Sequence, residues 1–126
     1  MAAPLSVHQL LASKIYSSLA GYIEKNQGAC IPMFAPDFII EILSESTRKK
    51  DSYLKLMKYQ KAGVREYWLV DPKGKKVIVY DFEAEVTPSI YGFRSKVPVG
   101  IFKGECEVDF AKIYEYISFL YEEDDV

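Results

Sequence analysis

Residues 36–72 read PDFIIEILSESTRKKDSYLKLMKYQKAGVREYWLVDP and place polar side chains at fixed offsets inside strongly apolar elements. At the centre of this block, Glu41 is the single acid in the run FIIEIL, which extends from residue 38 to residue 43. A run of β-branched and aromatic residues without alternation predicts a strand that is buried on both faces. A carboxylate in such a strand must be paired, protonated or bound to a metal ion. Glu41 is therefore the first candidate for a functional residue.

The residues after this strand predict a helix and a hairpin. Residues 52–62 carry Leu54 and Met57 at helical spacing, so we expect these two side chains to face the sheet and the helix to stop at Gly63. Residues 67–71 read YWLVD and residues 77–80 read VIVY, with the turn sequence PKGK between them. Two apolar runs joined by such a turn indicate a β-hairpin, in which Asp71 closes the first strand.

Helices are also predicted at both ends of the chain. Ser6 and Gln9 form a capping-box pattern before a helix over residues 7–25, and Asp109 has the position of a cap before a last helix. Residues 29–34 predict a short edge strand, and residues 83–104 predict irregular strands. The order of elements indicates a mixed α/β (α+β) domain over residues 1–121, followed by an acidic tail at residues 122–126.

The composition suits one globular domain, and the net charge of the chain does not indicate a basic surface for nucleic acid. The chain has 126 residues, 49% of them apolar, and a formal net charge of −2. The charge is uneven, because ten basic residues lie between Arg48 and Lys76 against three acids. This stretch has two interpretations: a solvated helix face with its turn, or a surface that binds a nucleic acid or another partner.

Several kinds of site and compartment are not expected. Cys30, Cys106 and His8 are the only cysteines and the only histidine, and their spacing argues against a zinc site. Two isolated cysteines fit a reducing cytoplasm, and no apolar run approaches the roughly 20 residues of a membrane helix. His8 is expected in the first turn of a helix without a catalytic role. Tyr67 and Trp68 are expected in the core.

The block also resembles a known family, the Uma-type putative restriction endonuclease family, which is placed in the PD-(D/E)XK nuclease superfamily. The resemblance extends into the segments around residues 2–9 and 97–110. The matching residues of the block are Ala35, Pro36, Asp37, Glu41, Ser44, Ser46, Thr47, Asp51, Lys55, Tyr59, Gly63, Val64, Glu66, Tyr67, Trp68, Asp71 and Pro72. The resemblance implies a restriction-endonuclease-like mixed sheet flanked by helices. It also implies a metal-dependent endonuclease that hydrolyses phosphodiester bonds of DNA.

The resemblance assigns roles to two residues of this chain. Glu41 matches the strand carboxylate that holds Mg²⁺ or Mn²⁺, and Lys55 matches the lysine that positions the attacking water. The superfamily lysine normally lies two residues after the acid, where this chain has Leu43. The residues alone leave two other readings open. Glu41 can be a structural acid paired with a core lysine or arginine, and Lys55 can form an exposed ion pair with Asp51.

One part of the family's site has no counterpart in this sequence. The family places a second metal-binding aspartate on a separate strand before the glutamate strand, so part of the usual core is expected to be missing. Asp37 lies on the same strand face as Glu41, but four residues of extended strand separate them by about 13 Å. An alternative is therefore a catalytically inactive relative that binds nucleic acid or a partner. A homodimer that covers the exposed strand edge is a further expectation.

Overall fold

The computed structural model describes residues 6–26, 37–43, 50–84 and 87–124, with the backbone alone at residues 22–26, 50–53 and 120–124. Three α-helices and six β-strands lie in these ranges. In chain order they are α1 (Val7–Asn26), β1 (Phe38–Ile42), α2 (Lys50–Lys61), β2 (Glu66–Asp71), β3 (Lys76–Asp81), β4 (Ser89–Gly92), β5 (Lys96–Pro98), β6 (Glu107–Asp109) and α3 (Phe110–Asp124). A short 3-10 turn at Gly100–Phe102 follows β5.

The strands form a mixed sheet and a small ribbon. The sheet has the order β1-β2-β3-β4, and β5 pairs with β6 separately. β1 and β2 are parallel, as expected for strands joined by a helix, whereas β3 is antiparallel to both β2 and β4. The predicted hairpin is therefore confirmed, and so is the mixed sheet with helices.

The two faces of the sheet have different neighbours. All six residues of β2 are buried, and alternate side chains along a strand point to opposite faces. Trp68 and Val70 belong to the main core, together with Leu11 and Ile15 of α1. From α3, the buried side chains Phe110, Ile113 and Ile117 complete that core. On the other face, the ring of Tyr67 contacts the ring of Tyr59 in α2.

Both predicted helix caps are present. The backbone N–H of Ser6 donates to Gln9 Oε1 at 2.9 Å, and the backbone N–H of Gln9 donates to Ser6 Oγ at 3.2 Å. At the other end of the chain, the backbone N–H of Lys112 donates to Asp109 Oδ1 at 3.2 Å. Each pair satisfies N–H groups that have no partner within the first helical turn.

Three expectations about these elements need correction or qualification. The prediction that Leu54 and Met57 face the sheet is wrong, because these side chains are 58% and 40% exposed. Among the described residues β1 is an outer strand of the four-stranded sheet, and its residues are half-buried rather than buried on both faces. α3 continues to Asp124, three residues into the segment that was expected to be a tail. The strand predicted at residues 29–34 lies outside the described residues.

Two remaining features bear on the sequence-based expectations. Among the described residues, no helix has the length and apolar character needed to cross a bilayer. Cys106 is a buried free thiol, in agreement with its interpretation as a small apolar residue, and burial raises its pKa. Cys30 lies outside the described residues.

Candidate active site

Glu41 lies near the carboxyl end of β1, opposite Leu69 of β2. Phe38, Ile40 and Ile42 pack against the main core, so the alternation of the strand turns Glu41 towards the face that carries α2. The side chain of Glu41 is 26% exposed. Glu41 is thus a partly desolvated carboxylate that remains accessible from solvent.

Two side chains of α2 bind this carboxylate. Lys55 Nζ lies 3.3 Å from Glu41 Oε1 and 3.2 Å from Glu41 Oε2. The hydroxyl of Tyr59 donates a hydrogen bond to Glu41 Oε1 at 3.1 Å. The structure therefore brings together Glu41 and Lys55, the two residues that the sequence indicated, and adds Tyr59. The helical spacing of four residues between Lys55 and Tyr59 is the sequence signal for this third residue.

The orientation of α2 follows from its ends as well as its side chains. The backbone N–H of Val64 donates to the carbonyl of Tyr59 at 3.1 Å, and Gly63 has a φ of 91°. A left-handed residue after the last turn is typical of glycine-terminated helices, and the buried Val64 then anchors the exit of the chain. This termination fixes the last turn of α2 above β2. The stripe with Lys55 and Tyr59 faces the sheet, where both side chains contact Glu41, and Leu54 faces solvent.

Aromatic side chains form the apolar surroundings of the carboxylate. The ring of Tyr67 lies 5.2 Å from that of Tyr59, 6.0 Å from that of Tyr80 and 6.4 Å from that of Phe82. Tyr67 is fully buried, and its hydroxyl has no hydrogen-bond partner among the described residues. Burial raises the pKa of Tyr67 well above its ordinary value, and the negative charge of Glu41 adds to this effect.

The hydroxyl of Tyr59 is also held in its neutral form. Burial raises the pKa of Tyr59, the hydrogen bond to Glu41 raises it further, and the positive charge of Lys55 lowers it in part. A neutral phenol can donate a hydrogen bond to a carboxylate, whereas a phenolate beside Glu41 would be repelled by it. Tyr59 is therefore a hydrogen-bond donor to Glu41 throughout the physiological pH range.

The ion pair itself is only moderately shielded from water. The side chains of Lys55 and Glu41 are 41% and 26% exposed, so solvent screens their attraction and the pair contributes at most about 1 kcal/mol to stability. The sequence offered Asp51 as another partner for Lys55, but the side chain of Asp51 lies outside the described side chains.

The described residues provide few further metal ligands at this place. No group of three or more His, Cys, Asp or Glu side chains in these ranges could hold a metal ion. The side chain of Asp37 is exposed at the far end of β1, and its carbonyl accepts the N–H groups of Arg65 and Glu66. Asp71 accepts the N–H of Gly74 at 3.0 Å, which confirms its predicted role in closing the hairpin turn.

His8 lies beside the end of β1 without contacting the carboxylate. Its Nε2 is 3.0 Å from the carbonyl oxygen of Ile42. Since a carbonyl oxygen can only accept, Nε2 carries the proton and donates this hydrogen bond. The interaction attaches the first turn of α1 to the strand that carries Glu41.

A second acid, Glu66, is buried on the opposite face of the sheet. Its carboxylate accepts hydrogen bonds from Trp68 Nε1 at 2.6 Å and from the backbone N–H groups of Gly100 at 3.2 Å and Ile101 at 2.9 Å. These contacts join β2 to the 3-10 turn. The sequence did not reveal this structural role, because a 34-residue separation from Gly100 leaves no local signal.

Comparisons with known proteins agree with this architecture. A family model named Uma2 and described as "Putative restriction endonuclease" matches residues 31–96, which is just over half of the chain. The chain belongs to this family. The Uma2 match covers β1, α2, β2, β3 and β4 and therefore includes both Glu41 and Lys55. The family assignment made from the sequence is confirmed.

A solved structure shows the same fold. A crystal structure described as a putative nuclease belonging to DUF820, from Anabaena variabilis ATCC 29413, superposes with a TM-score of 0.71 at 18% sequence identity. The match covers 92% of this chain and 84% of that chain. At this identity the likeness establishes the fold alone. No curated protein matches the chain.

Proposed function

We propose that this Uma2 protein is a metal-dependent DNA endonuclease in which Glu41 binds the metal ion and Lys55 positions the attacking water. The observation that carries this proposal is the contact of Lys55 Nζ with both oxygens of Glu41, at 3.2 and 3.3 Å, across two separate elements. Family membership and the nuclease-like fold support the same reaction class. Mg²⁺ or Mn²⁺ and a DNA substrate are parts of the proposal.

The donors at Glu41 fit a metal ion that is held jointly with substrate. A carboxylate oxygen is a hard ligand, and Glu41 Oε2 accepts one hydrogen bond from the described residues, which leaves a lone pair for a metal ion. Mg²⁺ commonly uses one or two carboxylates and completes its shell with water and substrate phosphate oxygens. When bound, such an ion neutralises charge on the phosphate and lowers the pKa of a bound water. Glu41 alone would not form a tight protein-only site.

Lys55 can supply two effects from its position beside the carboxylate. A lysine ammonium has three donors and no acceptor, so it can orient a water molecule but cannot remove its proton. Its positive charge is also placed to stabilise the negative charge that develops on a phosphate oxygen. Glu41 keeps the ammonium 3.2 Å from Oε2, the proposed metal-binding oxygen, which limits the number of positions that it can adopt.

A catalytically inactive, nucleic-acid-binding protein is the second candidate function. It is favoured by the finding that Glu41 has a positively charged partner and, among the described residues, belongs to no group of three or more His, Cys, Asp or Glu side chains that could hold a metal ion. In that case the Glu41–Lys55 pair fastens α2 to β1, and binding of nucleic acid or a partner protein is the whole activity. The two candidates differ in whether a divalent metal ion produces cleavage.

Incubation with supercoiled plasmid and Mg²⁺ or Mn²⁺ separates the two candidates. We expect nicked or linear DNA from the unaltered protein and a loss of roughly 100-fold or more in rate for Glu41→Gln and for Lys55→Gln. Glu83→Gln is the matched control, because it removes another ion pair, between Glu83 and Arg65 at 2.7 Å. This control should cleave at the original rate.

Two results would refute the nuclease proposal. One is a folded protein that shows no metal-dependent cleavage of supercoiled, linear or single-stranded DNA. The other is a Glu41→Gln protein that cleaves as fast as the unaltered protein, which would indicate a contaminating nuclease. Circular dichroism of every variant establishes that a loss of activity is not a loss of folding.

A further inference from the structure

Two turns of the sheet bring exposed cations together at one end. Lys73 lies in the turn between β2 and β3, Lys76 begins β3, and Arg94 lies in the turn after β4, all with exposed side chains. The backbone N–H of Phe93 donates to the carbonyl of Lys75 at 3.1 Å, so the two turns lie side by side. We call Lys73, Lys76 and Arg94 the cationic edge.

The cationic edge lies at the same end of the sheet as Glu41. Glu41 is opposite Leu69, which is opposite Ile78, and Lys76 is two residues from Ile78 on the same face. With strands about 4.8 Å apart and a rise of about 3.3 Å per residue, the Cα atoms of Glu41 and Lys76 are about 12 Å apart. Lys76 therefore shares the α2 face with the proposed site.

The acids near these cations, Asp71 and Glu41, both have partners within the protein. Asp71, the acid paired with Lys76 in the sheet register, is buried and accepts the N–H of Gly74. Glu41 is already paired with Lys55. Two neighbouring lysines are excluded from the set: Lys75 Nζ lies over the ring of Tyr114 at 5.6 Å, and Lys96 is opposite Asp109 in the ribbon.

The cationic edge differs from the basic surface that the sequence indicates between Arg48 and Lys76, because it contains only part of that stretch. Lys58 and Lys61 lie in the last turn of α2, which leads into the start of β2. They are at the opposite end of the strand from Asp71. Arg94, in contrast, lies outside that sequence stretch and joins the cations near Glu41 through the pairing of β3 with β4.

We infer that the cationic edge binds the phosphate backbone of a DNA duplex whose reactive phosphate lies at Glu41. This inference rests on the proposed nuclease function and specifies how the substrate is held. Measured along the helix axis, a distance of about 12 Å corresponds to three or four base-pair rises of about 3.4 Å. Lys76 thus contacts a phosphate a few nucleotides from the reactive one, and Lys73 and Arg94 extend the contact outward.

Duplex binding without metal tests this inference separately from cleavage. Fluorescence anisotropy with a labelled duplex in EDTA gives the dependence of Kd on salt for the unaltered protein and for Lys73→Gln/Lys76→Gln/Arg94→Gln. Each phosphate contact that is lost reduces the salt slope by about 0.9, so three contacts reduce it by nearly 3. Between 50 and 200 mM salt, the Kd of the unaltered protein should rise roughly 40-fold more than that of the variant.

The matched control removes the same charge elsewhere. Lys58→Gln/Lys61→Gln/Lys112→Gln changes three exposed lysines of α2 and α3 and should leave the salt slope unchanged. The inference is overturned if the unaltered protein does not bind the duplex at 50 mM salt, if the cationic-edge variant binds like the unaltered protein, or if the control loses as much.

Two further measurements keep this inference distinguishable from the nuclease proposal. Glu41→Gln should bind the duplex at least as well as the unaltered protein while failing to cleave it. Binding through the cationic edge without any cleavage would refute the nuclease proposal alone. Cleavage that persists while the cationic-edge variant binds normally would refute this inference alone.

Discussion

Glu41 and Glu66 lie on neighbouring strands and differ in what their carboxylates contact. Glu66 faces the main core and accepts one indole and two backbone N–H groups. Glu41 faces α2, is 26% exposed and contacts two flexible side-chain donors. Fixed donors around a buried acid are typical of a structural role. Lys55 and Tyr59 are flexible donors that can move away from Glu41, so this accessible carboxylate can bind another ligand.

Replacing Tyr59 by Phe tests whether the hydroxyl orients Glu41 for metal binding. The variant loses the 3.1 Å hydrogen bond to Oε1 but keeps the aromatic contact with Tyr67. Outer hydrogen bonds to metal ligands typically contribute 10- to 100-fold in affinity. If the proposed metal site exists, we expect the Kd for Mn²⁺, measured by calorimetry, to rise by about this factor. Stability should change by roughly 1 kcal/mol or less.

Tyr80→Phe is the matched control for this prediction. Tyr80 belongs to the same aromatic cluster through its contact with Tyr67, and the substitution also removes one phenol hydroxyl. An equal loss of Mn²⁺ affinity in both variants, or no loss in Tyr59→Phe, would contradict an orienting role for Tyr59.

Replacing Glu66 by Ala tests the structural role of the buried acid. The substitution leaves Trp68 Nε1 and the N–H groups of Gly100 and Ile101 without their acceptor. Unsatisfied buried donors are costly, so the free energy of unfolding should fall by about 2 to 4 kcal/mol in urea titrations. Glu83→Ala, which removes an exposed partner of Arg65, should change it by no more than about 0.5 kcal/mol. Similar effects of the two substitutions would argue against this role.

At the scale of elements, local sequence signals predicted the ends of helices better than their orientation. The caps at Ser6 and Asp109 depend on residues within three positions of each other, and both are present. The strands β2 and β3 were likewise predicted from their apolar runs. The predicted rotation of α2 is wrong. The apolar spacing of Leu54 and Met57 predicts that they lie on the buried side, but both side chains are exposed.

The wrongly predicted face of α2 and the contact of Lys55 with Glu41 have the same physical origin. Lys55 and Tyr59 face the sheet because Glu41 offers them a partner there, and this requirement outweighs the burial of Leu54. Family resemblance assigned Glu41 and Lys55 to one site, in roles that remain predictions, whereas the apolar spacing of Leu54 and Met57 predicted the wrong face of α2. Contacts between distant residues, such as Glu66 with Gly100 or Phe93 with Lys75, had no sequence signal.

The cap of α3 gives a prediction at the scale of an element. Asp109→Ala removes the acceptor of the Lys112 N–H and should lower the free energy of unfolding by about 0.5 to 2 kcal/mol. Asp109→Asn retains a side-chain oxygen at the same position and should preserve most of the stability. Urea titrations of both proteins decide the matter, and an Asn variant as unstable as the Ala variant would exclude a capping contribution.

At the scale of the whole molecule, the sheet separates stability from proposed function. One face packs against α1, α3 and the ribbon to form the main core. The other face carries α2, the Glu41–Lys55 pair and the tyrosine cluster. Substitutions at the accessible ion pair should therefore affect activity more than folding. The expected homodimer remains a prediction.

Burial of Tyr67 makes the free energy of unfolding depend on pH in the alkaline range. The pKa of Tyr67 is raised by burial, by Glu41 and by the neighbouring Tyr59 and Tyr80, whereas an unfolded tyrosine has a pKa of about 10. Above that pH the unfolded chain releases a proton that the folded protein retains. The stabilising contribution of Tyr67 is therefore complete below pH 10 and is lost as pH rises towards the folded pKa. The expected slope for this one group is about −1.4 kcal/mol per pH unit.

Urea titrations between about pH 9 and pH 11 measure this slope, and substitutions assign it. Tyr67→Phe removes the titrating group, so its stability should fall less steeply with pH than that of the unaltered protein. Tyr16→Phe removes a phenol that is 73% exposed and should leave the slope unchanged. If Tyr67→Phe and the unaltered protein lose stability in parallel, the buried hydroxyl does not titrate differently in the folded and unfolded states. The alkaline loss would then have to arise from other groups.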